Sequence, residues 1–163
     1  MAVILWGIFS VLLIAADQYT KYLAVTYLSS GNTVDFIPGV LDFVYVENRG
    51  AAFGMLQDTR WFLIVITVLA LIFVAVYAFT RKKRGPLLMS AVALIFAGGF
   101  GNMIDRVVNG YVVDFIHTLF IRFPCFNVAD ICVTVGGVLL ICYLLFFSSP
   151  KKEADDEHDN HDR

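Results

Sequence analysis

Residues 98–130 read GGFGNMIDRVVNGYVVDFIHTLFIRFPCFNVAD, an unusual density of polar groups in an otherwise apolar sequence. Long hydrophobic runs lie on both sides, so the stretch connects two of them. Ionisable side chains are costly at membrane depth, are rare there and mark functional sites. The polar residues of interest in this stretch are Asn102, Asp105, Arg106, Asp114, Asn127 and Asp130.

The composition is that of a protein that crosses the membrane several times. Of the 163 residues, 59% are hydrophobic and only 16% are charged, which is far from the balance of a soluble domain. A helix that spans the bilayer needs about twenty mostly apolar residues. Four segments meet this requirement, at residues 2–28, 61–79, 87–107 and 129–147.

Basic residues set the predicted orientation of these spans. The loop between the second and third spans carries the run RKKR at 81–84, and the positive-inside rule places such a loop in the cytoplasm. Both termini are then cytoplasmic as well. The segments 29–60 and 108–128 must consequently face outward.

Both outward segments contain strand-like sequence. Residues 41–47, LDFVYVE, partly alternate between apolar and polar side chains, and residues 110–116, GYVVDFI, are also strand-like. We therefore predict a mostly α membrane domain of four helices over residues 1–148, covered by a small extracytoplasmic cradle that contains β-strands. The acidic residues 149–163 cannot bury apolar surface and are predicted to form a disordered cytoplasmic tail.

The three cysteines do not indicate a metal site. Cys125, Cys132 and Cys142 lack any metal-binding spacing. Cys125 lies near His117 in sequence, and a cysteine nucleophile paired with histidine is conceivable, but nothing nearby suggests a third group to orient the histidine. We expect neither a bound metal nor a catalytic cysteine.

Two motifs allow a structural and a functional interpretation. Asp17 and Lys21 lie four positions apart on the first span, where they share a helix face with the acid before the base. They either neutralise each other near the membrane interface or support an active site. Residues 48–54, NRGAAFG, form either a turn into the second span or a surface that glycine opens to an extended peptide.

The third span ends in GNMIDR, residues 101–106. Its polar side chains Asn102, Asp105 and Arg106 lie on consecutive turns, and Asp105 could pair locally with Arg106 so that the helix end satisfies itself. Arg106 has a second possible role, because its planar fork can hold a carbonyl or a lipid phosphate.

Asn127 and Asp130 precede and begin the fourth span. Asparagine is a strong helix N-cap, and an acidic residue three positions later resembles a capping box. Asp130 could therefore be only a helix-start signal, although the helix dipole at this position would also favour its ionised form. Asp114 interrupts the apolar run YVVDFI, and its structural interpretation is a solvent-facing position on a strand.

Together, Asp114 and Asp130 match the requirements of aspartic-protease chemistry. One ionised carboxylate deprotonates a water, and a second, protonated carboxyl polarises the scissile carbonyl. Like charges this close cannot both remain ionised, so the pair would share one proton and titrate as a unit. The sequence leaves open which of the two is the base.

Five motifs resemble those of the bacterial lipoprotein signal peptidases, also called signal peptidase II. They follow the family's order from the first span to the fourth: DQYTK at 17–21, NRGAAFG at 48–54, GNMIDR at 101–106, VVDF at 112–115 and FNVAD at 126–130. The DxxxK pattern alone is weak, whereas GNxxDR followed by VVDF and FNxAD is highly specific.

The resemblance implies an aspartic endopeptidase of the bacterial cytoplasmic (inner) membrane, with several spans and an extracytoplasmic active site. Such an enzyme removes the signal peptide from diacylglyceryl-modified prolipoproteins and cleaves just before the lipid-modified cysteine. The implied catalytic dyad is Asp114 and Asp130. The implied substrate-binding or supporting residues are Asn48, Gly50, Asn102, Asp105, Arg106, Asn127, Asp17 and Lys21.

The implied partners are the prolipoprotein and membrane lipid, and the chain would act as a monomer without cofactor or nucleic acid. Two alternatives come from other functional classes. A small proton-coupled transporter would spread its charges through the membrane depth, whereas here they cluster toward the outer side. A non-enzymatic membrane interaction protein would use its acidic residues only to cap helices.

Overall fold

The computed structural model describes residues 2–51, 55–81 and 84–147. Within these ranges the chain forms four helices, each long and apolar enough to cross a membrane. They are α1 (Ala2–Leu28), α2 (Arg60–Thr80), α3 (Pro86–Val108) and α4 (Val128–Phe146). The predicted four-helix membrane fold is confirmed. The predicted acidic tail, 149–163, lies outside the described residues.

Local sequence explains where two of the helices begin. α3 starts at Pro86, directly after Gly85, because the fixed φ of proline suits the first turn of a helix. α4 starts after Asn127, whose side-chain oxygen accepts a hydrogen bond from the Asp130 N–H at 3.0 Å. The Asp130 carboxylate accepts one from the Asn127 N–H at 3.0 Å. This reciprocal capping box fixes Asp130 in the first turn of α4.

α3 packs against each of the other three helices. Small residues let its backbone approach them closely. A Cβ atom on Gly98 would overlap the carbonyl oxygen of Ala129, and one on Gly101 would lie 2.6 Å from Oδ2 of Asp17. These contacts bring α1 and α4 against the same part of α3.

The outward segments form a three-stranded antiparallel sheet, and two of its strands lie where LDFVYVE and GYVVDFI predict them. Its strands in spatial order are β1 (Val34–Ile37), β2 (Leu41–Asn48) and β3 (Val112–Thr118). Val46 of β2 lies opposite Asp114 of β3, and the register between these strands shifts between Phe43 and Val46. The shift changes which β2 side chains lie beside Asp114.

The sheet covers the end of the bundle where α1 and α3 finish and α2 and α4 begin, which we call the sheet end. Ala24 and Leu28 of α1 form a buried apolar cluster with Val113, Phe115 and Ile116 of β3. This packing holds β3 over the helix ends. The opposite end, which contains the short connection between α2 and α3, is called the loop end.

Candidate active site

Asp114 and Asp130 meet at the sheet end through a shared asparagine. The Asn127 side-chain amide donates to Oδ1 of Asp114 at 2.7 Å, and the Asn127 backbone N–H donates to Oδ2 of Asp130 at 3.0 Å. β3 supplies the first carboxylate, and the first turn of α4 supplies the second. Asn127 therefore fixes the relative position of two acids that come from different elements.

Asn102 of α3 extends this network beneath the carboxylates. Its side-chain amide donates to Oδ1 of Asp130 at 2.7 Å. Its side-chain oxygen accepts a hydrogen bond from the amide of Asn127 at 3.1 Å. Both oxygens of Asp130 are consequently held by N–H donors, which fixes the rotation of its carboxylate.

Asn48 at the end of β2 holds Asp114 from the other side. Its amide donates to Oδ2 of Asp114 at 2.9 Å, and its oxygen accepts the Gly50 N–H at 3.0 Å. A Cβ atom on Gly50 would lie 2.5 Å from the Met55 carbonyl oxygen, so only glycine fits this turn without a shift. Nη2 of Arg106 donates to the Gly50 carbonyl at 3.1 Å. The turn is thereby joined to α3.

Lys21 of α1 lies at the base of the network and is only 3% exposed. Its ammonium is 2.9 Å from Oδ2 of Asp17 and 3.0 Å from Oδ2 of Asp105. It also donates to the side-chain oxygen of Asn102 at 2.9 Å. One buried cation thus neutralises part of the charge of two buried carboxylates, and Asn102 connects it to Asp130.

The two carboxylates that bind Lys21 also hold the backbone beside each member of the candidate dyad. Oδ2 of Asp105 accepts the Val113 N–H at 3.1 Å, one residue before Asp114. Oδ1 of Asp17 accepts the Ala129 N–H at 2.8 Å, one residue before Asp130. The same buried cluster therefore positions β3 and the start of α4.

The structure differs from the local ion pair considered for Asp105 and Arg106. Asp105 pairs with Lys21 across the helix interface, whereas Arg106 donates to backbone carbonyl groups of Asn102 and Gly50. Adjacent residues point about 100° apart on an α-helix. The Asp105 side chain therefore points toward Lys21, and the Arg106 side chain points toward the Gly50 turn.

Sequence reasoning missed Gln18. Its amide donates to Oδ1 of Asp105 at 3.1 Å and to the Gly101 carbonyl at 3.2 Å. It therefore completes the hydrogen bonding of a buried carboxylate and joins α1 to α3. Its position inside the motif DQYTK, directly after Asp17, was the available signal.

Burial dominates the electrostatics of Asp114, which is 2% exposed. Burial raises the pKa of Asp114 from its ordinary value to about 7, and the nearby charge of Asp130 acts in the same direction. The hydrogen bonds from Asn48 and Asn127 oppose this rise in pKa. Asp114 consequently retains its proton in weakly acidic solution, where a solvated aspartate is ionised.

Asp42 supplies the orienting acid for His117 that the sequence did not reveal. The two residues are paired across β2 and β3, with His117 Nδ1 2.9 Å from Oδ1 of Asp42. Even so, no hydrogen bond within the described part of the chain joins the Cys125 thiol to His117. Burial raises the pKa of that thiol, as do the charges of Asp114 and Asp42, and a raised pKa disfavours the reactive thiolate.

A cavity of about 250 Å³ lies between α2, α3 and α4 and reaches the network. Leu71, Gly99 and Val133 line its apolar part, whereas Asn102 and Arg106 lie at its polar end. Among the residues that the structure describes, no three His, Cys, Asp or Glu side chains are grouped closely enough to hold a metal ion.

The family of signal peptidase (SPase) II matches residues 9–146 of this chain. A lipoprotein signal peptidase of Streptococcus pyogenes serotype M5 (strain Manfredo) is 43% identical over 134 residues, which cover 82% of this chain and 88% of that protein. A lipoprotein signal peptidase of serotype M3 (strain ATCC BAA-595 / MGAS315) is 42% identical over the same share of each chain.

Two solved structures, both described as bacterial membrane enzymes determined by the in meso method, share the fold. The one at 2.3 Å resolution has a TM-score of 0.83 and 38% sequence identity, covering 91% of this chain and 92% of that chain. The one at 1.9 Å resolution has a TM-score of 0.79 and 37% identity, covering 87% and 93%. The resemblance drawn from the five motifs is thereby confirmed, and the chain belongs to the signal peptidase II family.

Proposed function

We propose that this protein is an aspartic endopeptidase that removes the signal peptide from diacylglyceryl-modified prolipoproteins. It cleaves just before the lipid-modified cysteine, with Asp114 and Asp130 as the catalytic dyad. The observation that carries the proposal is the pairing of the buried Asp114 carboxylate with the partly buried Asp130 carboxylate through Asn127 at the sheet end. An extensive hydrogen-bond network holds the two acids together against their mutual electrostatic repulsion.

We assign the shared proton to Asp114, whose pKa burial raises to about 7. The role of base goes to Asp130, because its position in the first turn of α4 favours an ionised carboxylate. Asp130 takes a proton from the water as the water oxygen attacks the scissile carbonyl carbon. Asp114 gives its proton to the carbonyl oxygen. The resulting gem-diol returns a proton to Asp114. Asp130 then protonates the leaving nitrogen as the C–N bond breaks, and both acids regain their starting states.

The cavity between α2, α3 and α4 is the proposed seat of the substrate near the scissile bond. Its apolar walls suit a signal-peptide segment or an acyl chain, and Asn102 and Arg106 lie where the cavity reaches the dyad. The guanidinium of Arg106 carries five N–H donors, two of which meet the carbonyl groups of Asn102 and Gly50. The others can bind a substrate carbonyl or a lipid ester.

The basic run at 81–84 supports a cytoplasmic loop end. We accordingly propose that both termini face the cytoplasm and that the dyad faces outward in a bacterial inner membrane. In this proposed orientation the dyad faces the side of the membrane on which a membrane-anchored, lipid-modified cysteine is cleaved. The chain is proposed to act as a monomer, with no cofactor and no nucleic-acid partner.

The shared proton predicts a bell-shaped dependence of kcat/KM on pH. Asp114 has a raised pKa, so its proton is present below about pH 7 and is lost as the pH rises through that value, which removes the acid and lowers the rate. At low pH the second carboxylate of the pair takes up a proton, which removes the base. Cleavage of a lipidated precursor should be measured from about pH 4 to pH 10, with the folded fraction determined at each pH.

The apparent pKa values of the acidic and alkaline limbs of this pH profile describe the coupled pair rather than single residues. A profile with only one ionisation over the whole range in which the protein stays folded would contradict the shared-proton dyad.

Dependence on lipid tests the proposed substrate class. Purified protein is incubated with one prolipoprotein before and after diacylglyceryl modification. The modified form should be cleaved at least about 100-fold faster, because the lipid anchors the scissile bond beside the dyad and a small misplacement costs a factor of that order. The Asp114→Asn variant serves as the control for contaminating proteases. Equal cleavage of the two forms would remove the lipoprotein assignment and leave a general membrane protease.

A further inference from the structure

A second cavity lies at the loop end, away from the dyad. It has a volume of about 310 Å³ and lies between the first half of α1, the end of α2 and the first half of α3. Its lining is almost wholly apolar and includes Val3, Trp6, Ser10, Phe79, Met89 and Phe96. A Cβ atom on Gly7, which also lines the cavity, would meet no atom within 4 Å, so the groove is open beside this residue.

The Arg84 side chain lies at the rim of this groove. Its Nη2 donates to the carbonyl oxygen of Phe79 at 2.9 Å, and its guanidinium lies 5.0 Å from the centre of the Phe79 ring. Phe79 itself lines the groove. An apolar groove in a membrane-spanning bundle thus ends beside a cation, which is the charge distribution that complements a lipid with an anionic headgroup.

We propose that this groove binds one acyl chain of an anionic phospholipid, with the lipid phosphate held by Arg84. The acyl chain lies against Trp6 and Phe96, and the lipid headgroup lies at the loop end. The bound lipid then bridges α1 to the ends of α2 and α3, distant from the proposed peptide-cleavage site.

Charge at the rim distinguishes a lipid from a signal-peptide helix as the occupant. The beginning of a signal peptide is positively charged, and the Arg84 guanidinium at the rim would repel it. A single acyl chain is thin enough for the groove, and an anionic headgroup is attracted to the rim.

The proposal predicts preferential binding of phosphatidylglycerol over phosphatidylcholine with the same acyl chains. The full chain, purified in a neutral detergent, is titrated with each lipid, and the bound lipid is counted by native mass spectrometry. Gly7→Leu fills the groove and should abolish the preference, and it improves rather than weakens helix propensity. Gly137→Leu is the matched control, because Gly137 also faces open space but lies on α4, outside this groove.

Arg84→Gln should lower phosphatidylglycerol binding about fivefold, the effect of one basic residue near an anionic headgroup. Arg122→Gln is its control, since Arg122 is an exposed arginine in the segment after β3 at the sheet end. Equal retention of the two lipids by the parental protein would overturn the proposal. So would equal effects of Gly7→Leu and Gly137→Leu, or displacement of the lipid by a signal peptide.

Discussion

Asp114→Asn and Asp130→Asn should each lower kcat for cleavage of a lipidated prolipoprotein by about 1,000-fold or more. Each substitution keeps the size of the side chain but removes a group that must exchange a proton in the reaction, and such a group contributes about 100- to 10,000-fold to the rate. The expected loss lies in kcat, because the dyad acts on the transition state rather than on substrate binding. Single-turnover cleavage by purified variants measures it.

Asp42→Asn is the matched control for these variants. Asp42 is a buried carboxylate of the same sheet, but its hydrogen-bond partner is His117, so its loss should change kcat only a few-fold. Parental rates in both dyad variants would refute the protease proposal. A parental rate in only one of them would refute the pairing of Asp114 with Asp130. The transporter alternative predicts instead a proton-coupled flux in liposomes that the same variants lose.

Lys21→Met should destabilise the protein by about 3–5 kcal/mol, the cost of breaking a buried ion pair and leaving its partner charge uncompensated. Lys21 is 3% exposed and lies within 3.0 Å of both Asp17 and Asp105. Methionine matches its length but supplies no charge. Thermal unfolding in detergent, followed at several pH values, measures the loss.

Arg49→Met is the matched control for Lys21→Met, because Arg49 and Glu47 form an ion pair whose side chains are 55% and 37% exposed. An exposed pair contributes about 1 kcal/mol or less. Adding Asp105→Asn to Lys21→Met should restore part of the stability by removing one stranded charge. If Lys21→Met were no more harmful than Arg49→Met, the buried cluster would not hold the sheet end together.

The helices and strands follow from the sequence because hydropathy and alternation are local signals. The apolar runs predict all four spans, and LDFVYVE and GYVVDFI predict β2 and β3. The capping box at Asn127 and Asp130 is likewise local, since its two partners are three residues apart. These features can be predicted from the sequence because the residues that form each of them are close together along the chain.

The partners of the polar side chains did not follow from local signals. Asp105 is adjacent to Arg106 in sequence but pairs with Lys21, which lies on another helix. The pairing of Asp42 with His117 depends on the register between β2 and β3, including its shift before Val46. Residue types show that buried polar groups need partners, whereas the choice among partners depends on how the helices and strands dock.

The position of Asp130 in the capping box gives this residue a structural role beside its proposed catalytic one. Its carboxylate oxygen Oδ2 satisfies the N–H of Asn127, and its other oxygen is held by Asn102. The same hydrogen bonds that begin α4 therefore orient a proposed catalytic group. Its conformation depends on helix packing rather than on a mobile loop, which favours a rigid active site.

The buried cluster around Lys21 also has a consequence for how the protein is made. Helices enter the membrane in chain order, so α1 and α3 are in place before α4 delivers Asp130. Until then Asp17 lacks the N–H donor of Ala129 that it binds in the finished protein. Asp114 lacks both the partner carboxylate of Asp130 and the hydrogen bond from Asn127. The proposed protease is therefore inert throughout its own biogenesis, and a chain cut short before its last helix cannot degrade its neighbours.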